Sequence, residues 1–162
     1  MRANLYRLLL LLSVGLWTSA AGAAVTVSFI NPQNYTDMGR YPEDMKAQMK
    51  EIKAHLEYLG QRYLPPDQSL NIEVLDVDLA GRLNFSRASH PVRILRGKAD
   101  WPSMQLHYVL EADGRVLIDR QEHIANIDYL EHPDRYDSNQ SLPYEKRMLD
   151  KWFRKRFAEH KR

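Results

Sequence analysis

Apolar and polar residues alternate along Val25-Thr26-Val27-Ser28-Phe29-Ile30, and the apolar positions are β-branched or aromatic. This two-residue period predicts a strand, closed by Asn31-Pro32. The period then changes. Met45, Met49, Ile52, Leu56, Leu59 and Tyr63 recur at spacings of three and four, which places them on one face of a helix. Pro42 fits the first helical position, Glu43 and Asp44 sit in the positive first turn, and Pro65-Pro66 ends the helix. The two methionines read as gap-filling core. Leu70 to Leu79 predicts a second strand. Ile72 and Val74 share one face with Asp76 and Asp78, while Leu75, Val77 and Leu79 share the other. Apolar residues on both faces point to a central strand.

Gly81 to His90 reads as a polar loop, and Val92 to Arg96 as a third strand closed by Gly97 and the Asp100-Trp101-Pro102 corner. Met104 to Ile124 carries the clearest local signal, a hairpin around Ala112-Asp113-Gly114. A two-residue turn would pair Leu110 with Leu117. A three-residue loop, with Gly114 in the left-handed position, pairs Leu110 with Val116, Tyr108 with Ile118 and His107 with Asp119. Apolar matching on one face favours the three-residue loop. Pro143 to about His160 is a final helix, with Leu149, Trp152, Phe153 and Phe157 toward the core. The expected fold is therefore α+β: a mostly antiparallel sheet of about five strands, in the order β-α-β-β-β-β-α, with two helices packed on one face. If the first two strands are parallel neighbours, the crossover is right-handed.

The beginning of the chain changes where this fold is expected. Arg2 and Arg7 flank an apolar run from Leu8 to Trp17, followed by Ala20-Ala21-Gly22-Ala23-Ala24. That pattern predicts a secretory signal over residues 1–23, cleaved after Ala23 or Ala24, and a single globular domain over 24–162. The run is too short to span a bilayer. Loss of Arg2 and Arg7 leaves 21 basic and 21 acidic side chains, so the pI of 8.8 does not point to nucleic acid. The charge is uneven, since Glu145 to Arg162 holds eight Lys or Arg against three acids. Pairing within the molecule is the expected use of that basic end, and contact with anionic headgroups is the alternative. Cysteine is absent, which excludes thiol chemistry and disulfides.

Asp76 and Asp78 lie two residues apart on the second strand, with side chains about 7 Å apart if the strand is regular. Paired carboxylates can bind a hard cation or share a proton. Neutralisation by Arg82, Arg93 or Arg96 is the expected alternative, because two acids are too few ligands for a metal. Asp100 and the exposed-corner aromatic Trp101 complete the candidate binding residues, with Asp76, Asp78 and Arg82. The six histidines, His55, His90, His107, His123, His132 and His160, form no HExxH or HxH spacing. There is no nucleophile elbow and no glycine-rich phosphate loop. No catalytic residue, metal ligand or cofactor is assigned. The tract from Tyr129 to Tyr144 reads as a long loop.

Three stretches resemble an exported bacterial family known as domain of unknown function 3016. They are Ile72-Glu73-Val74-Leu75-Asp76-Val77-Asp78-Leu79-Ala80-Gly81-Arg82, then Arg96-Gly97-Lys98-Ala99-Asp100-Trp101-Pro102, and Tyr144 to Phe153. Val27 to Pro32 and Tyr35-Thr36-Asp37 fit the same pattern. The resemblance implies a Gram-negative periplasmic protein and carries no activity or site residue. Two functions remain in view. One is a non-catalytic binding module whose partner is an unknown envelope protein or cell-envelope component. The other is a small metal-dependent or acid/base hydrolase centred on Asp76, Asp78 and Asp100, with His90 as a further member.

Overall fold

The computed structural model describes residues 23–84, 92–131 and 140–159. Residues 1–22 of the expected signal (1–23) lie outside them, as do His90, His132 and His160. The alternating segment forms β1 (Ala24–Phe29), followed by a single 3₁₀ turn at Pro32–Asn34. The periodic segment forms α1 (Pro42–Tyr63), with Pro42 in its first turn and Ile52, Leu56 and Leu59 buried. Then come β2 (Gln68–Asp78), β3 (Arg82–Asn84), β4 (Val92–Ile94), β5 (Ser103–Ala112) and β6 (Arg115–Ala125). The final helix, α2 (Pro143–Phe153), continues through a wider turn to Ala158.

The fold is α+β, as expected, with one difference in how the strands are shared. A mixed sheet runs β1-β2-β5-β6, with β1 parallel to β2 and the other pairs antiparallel. The third expected strand is not in it. Val92–Ile94 instead pairs with the short β3 as a separate hairpin, inside what reads as loop from its polar composition. Val92–Ile94 is a strand as expected, but the three residues of its partner β3 are too few to carry a periodicity, so local sequence does not announce that pairing.

Both helices cover the same face of the sheet. Leu70, Ile72 and Val74 of β2 meet Leu106, Tyr108 and Leu110 of β5, and all join Leu56, Leu149 and Phe153 in one core. Burying each such side chain contributes about 1.5–3 kcal/mol, against about 0–1 kcal/mol for an exposed ion pair. The core therefore holds the fold. Gly60 lets α1 lie against β1, because a Cβ there would run into the side chain of Val25. His55 Nε2 lies 2.9 Å from Asp150 Oδ1, and Lys146 Nζ donates to Glu51 at 2.7 Å, which joins the two helices.

The basic end folds inward. Trp152 and Phe157 are buried, Arg156 donates to Glu122 at 2.6 Å, and Arg147 donates to the buried Tyr129 carbonyl at 3.0 Å. Tyr129, at the start of the long tract, is itself fully buried and packs edge-on against Tyr144.

The hairpin register differs from the expected one. Asp113 and Gly114 both adopt left-handed backbone, which makes a two-residue turn pairing Ala112 with Arg115. A bulge then skips Leu117, so Leu110 faces Ile118, Tyr108 faces Arg120 and His107 faces Gln121. The turn follows local chemistry. The bulge afterwards sets Ile118 opposite Leu110 and Ile124 opposite Met104, with Arg120 and Glu122 between them opposite Tyr108 and Leu106.

Candidate functional site

The site begins with an irregularity in β2. Val74 pairs with Leu106 and Asp76 with Gln105, leaving Leu75 as an extra residue. Strand side chains alternate, so one inserted residue exchanges the two faces. Before the bulge, Leu70, Ile72 and Val74 face the core; after it, Val77 and Leu79 do, all at 1% exposure or less. This corrects two expectations. Asp76 and Asp78 do not share the face of Ile72 and Val74, and β2 is central without being buried on both sides. Both aspartates turn to the face that carries no helix.

Beside them runs a strap from Tyr35 to Met38. Asp37 donates its N–H to the Val77 carbonyl at 2.9 Å and accepts from the Leu79 N–H at 3.1 Å, so the strap lengthens the sheet edge next to β2. Asp76 anchors it. Its carboxylate accepts the Thr36 N–H and the Thr36 hydroxyl, each at 2.7 Å. The partner of Asp76 is therefore the strap and not an arginine.

Asp78 does pair with an arginine. Arg82 grips it with both guanidinium nitrogens, at 2.6 and 3.1 Å. Arg93 makes the same two-point contact with Asp37, at 2.8 and 3.1 Å, and its Nη1 also donates to the Gly81 carbonyl at 2.9 Å. Arg82 Nη1 lies 3.7 Å from Asp37. The result is an alternating row: Arg93, Asp37, Arg82, Asp78. Paired guanidinium and carboxylate planes of this kind are strong and geometrically specific. The hydrogen bonds that Arg82 donates to Asp78 raise the Arg82 pKa above its ordinary value, so the group stays charged.

Two further acids support the corner. Gly81, with φ +76°, reverses the chain after β2, and its N–H donates to the Asp100 carbonyl at 2.9 Å. Asp100 is buried; its Oδ1 accepts the Arg96 N–H at 2.9 Å and the Tyr129 hydroxyl at 2.8 Å. Burial, aided by Asp100, pushes the Tyr129 hydroxyl up to about 12. Glu145 is buried too, and Oε1 accepts the Ala80 N–H at 2.8 Å. Burial pushes its carboxyl up from the usual range.

A groove of about 550 Å³ opens alongside, lined by Thr36, Asp37, Gly39, Arg40, Arg82 and Leu83. Of the candidate residues, the groove takes in Arg82, with Asp76 and Asp78 as its direct supports. Asp100 and Trp101 do not line it; Asp100 braces the Arg96–Tyr129 corner, and Trp101 is exposed beyond it. Among the described residues, Arg96 meets Asp100 through its backbone N–H. Sequence reasoning missed Asp37 and Glu145. Asp37 lies in the quoted Tyr35-Thr36-Asp37 stretch, but nothing local places it opposite Arg93. Glu145 reads as an ordinary first-turn acid.

The arrangement suits holding more than proton transfer. Asp76 and Asp78 each accept two donors, from Thr36 and Arg82 respectively, and Asp37 accepts three, two from Arg93 and the Gly39 N–H. No cluster of three or more His, Asp or Glu suited to a metal ion occurs among the described residues. Away from the groove, His107 Nδ1 and Nε2 lie 2.9 Å from Glu73 and 2.8 Å from Asp119, spanning three strands of the uncovered face. No helix among the described residues is long and apolar enough to cross a membrane.

The family described as Protein of unknown function (DUF3016) matches residues 23–155, which takes in every element of the fold through α2. The chain belongs to the DUF3016 family. The strap, the Arg93–Asp37–Arg82–Asp78 row and both buried acids all fall within the DUF3016 match. No curated protein and no solved structure matches the chain.

Proposed function

We propose that this DUF3016 protein is a non-catalytic binding module of the Gram-negative periplasm, engaging an envelope protein or cell-envelope component through the groove beside Arg82. The observation that carries the reading is the alternating row. Arg82 is held by Asp78 yet 46% exposed at its side chain, next to a groove that Thr36, Gly39 and Leu83 also line. A guanidinium fixed by a carboxylate behind it presents its remaining N–H groups in one orientation, which favours an acceptor-rich partner group. The secretory pattern of Arg2, Arg7, Leu8 to Trp17 and Ala20 to Ala24 supports the compartment. Against the hydrolase reading, Asp76 and Asp78 are occupied by structural donors, and Asp100 braces a loop outside the groove.

Site-specific photo-crosslinking in cells expressing the full-length chain tests this. A crosslinker at Leu83 is expected to trap an envelope component, and one at Tyr58, exposed on α1 and not lining the groove, is expected to trap none. Arg82→Ala should abolish the Leu83 adduct. Intact mass of the same protein is expected to show loss of Arg2 and Arg7. Equal labelling at both positions, or a mass retaining those arginines, overturns the proposal.

A further inference from the structure

β6 is the outer strand of the sheet, and among the described residues nothing pairs with its free edge. Seven consecutive residues of that strand, Ile118-Asp119-Arg120-Gln121-Glu122-His123-Ile124, have an unusual order. Read outward from Gln121, a base stands opposite an acid, an acid opposite a histidine, and an isoleucine opposite an isoleucine. Such a sequence is complementary to its own antiparallel copy.

We propose that two copies of this chain associate by antiparallel pairing of their β6 edges about Gln121, joining two four-stranded sheets into one of eight strands. The backbone supports this register. Asn126 donates its N–H inward to the Pro102 carbonyl at 3.1 Å. Hydrogen-bonding groups alternate between neighbours along an antiparallel strand, so His123, Gln121 and Asp119 direct theirs to the free edge. Pairing about Gln121 joins those groups: Gln121 with Gln121 of the second copy, and Asp119 with His123 of the second copy, twice over. The intervening residues set Arg120 opposite Glu122 and Ile118 opposite Ile124. Sliding one copy by two residues sets Arg120 against Arg120 or Glu122 against Glu122, and like charges directly opposed are destabilising. The register is therefore single.

The side chains are available for it. Asp119, Arg120, Gln121 and His123 are exposed, and neither Arg120 nor His123 makes an ion pair among the described residues. Within their own chain Asp119 lies 2.8 Å from His107 Nε2, and Glu122 accepts from Tyr108, Trp152 and Arg156; in the pair Asp119 would also face His123, and Glu122 would also face Arg120, of the second copy. A two-fold contact of one patch with itself closes as a dimer and does not propagate into fibres. An unpaired edge of eleven residues is otherwise an aggregation hazard.

Sedimentation equilibrium of protein recovered from cells expressing the full-length chain tests this, from low micromolar to near-millimolar concentration. The unmodified protein is expected to show a concentration-dependent dimer. Asp119→Lys removes the acid that faces His123 at two symmetric positions and should weaken the dimer at least about tenfold. Adding His123→Glu to Asp119→Lys sets an acid opposite a base there again, and restores the dimer. Gln121→Pro removes an edge N–H, which an edge strand tolerates, and should yield a monomer with a nearly unchanged melting temperature. A monomer at every concentration overturns the proposal. So does a dimer that both single variants leave intact, or one that the double variant fails to restore.

Discussion

His107 Nε2 lies 2.8 Å from Asp119 Oδ1, although the two residues are not opposite one another in the hairpin. His107 faces Gln121, and Asp119 faces Val109. The contact is diagonal, reached by the length of the two side chains across adjacent strands. Glu73 meets the other ring nitrogen from directly opposite on β2. An imidazolium donates to both acids at once, whereas a neutral ring donates to only one.

The His107 pKa is accordingly raised, first by the hydrogen bond to Glu73 and then by that to Asp119. A raised folded-state pKa means stability that is present below the unfolded value, about 6.5, and is lost as pH rises through the folded value. The groups are partly exposed, so the effect is small, about 0.2–1 kcal/mol. An NMR titration is expected to place the ring above its ordinary range, with Glu73→Gln lowering it more than Asp119→Asn. A ring titrating at or below about 6.5 would contradict the clamp.

Asp76 ties the strap to the sheet through Thr36. Asp76→Ala removes the acceptor for two donors and is expected to cost about 1–3 kcal/mol, and Asp76→Asn less, because one acceptor oxygen remains. Thr36→Val in the Asp76→Ala background should add little, since the two changes break the same link. Urea melts of the four proteins check this. Millimolar calcium, magnesium or zinc is expected to leave every midpoint unchanged, and a metal-dependent rise for the unmodified protein would reinstate a cation site.

Glu145 carries the opposite sign from most acids. Burial raises its folded-state pKa above that of the unfolded chain, so the folded state holds the proton more tightly. Its contribution is then greatest at low pH and declines as pH climbs from the unfolded value through the folded one. Urea unfolding followed across that range should show this decline for the unmodified protein. Glu145→Gln keeps an oxygen for the Ala80 N–H and cannot ionise, so its stability is expected to vary less with pH. Parallel curves for the two proteins would show that Glu145 does not ionise differently on folding.

Trp152 packs edge-on against Tyr108, Phe153 and Phe157 and donates its indole N–H to Glu122 at 3.2 Å. Trp152→Ala is expected to cost about 3–5 kcal/mol, the usual loss for a buried large aromatic. A loss below about 1 kcal/mol would mean that the basic helix is peripheral to the core.

Much of the fold was legible in the chain alone. The period-two run at β1, the three-and-four spacing of α1, its prolines, and the aromatic face of α2 all act within one element, so neighbouring residues suffice to reveal them. The acids and arginine of the site were visible as candidates for the same reason, and the pairing of Asp78 with Arg82 spans only four residues. What needed the tertiary structure was every feature decided between elements. Leu75 and Leu117 become bulges because two strands must keep their apolar faces on one core, and that constraint lies in the partner strand. Val92–Ile94 leaves the main sheet because Arg82–Asn84 offers it a partner. Asp37 meets Arg93 across 56 residues of chain, and Glu145 meets the Ala80 N–H across 65. Side-chain chemistry states what each of these groups can bind, but only packing brings its partner within hydrogen-bonding distance.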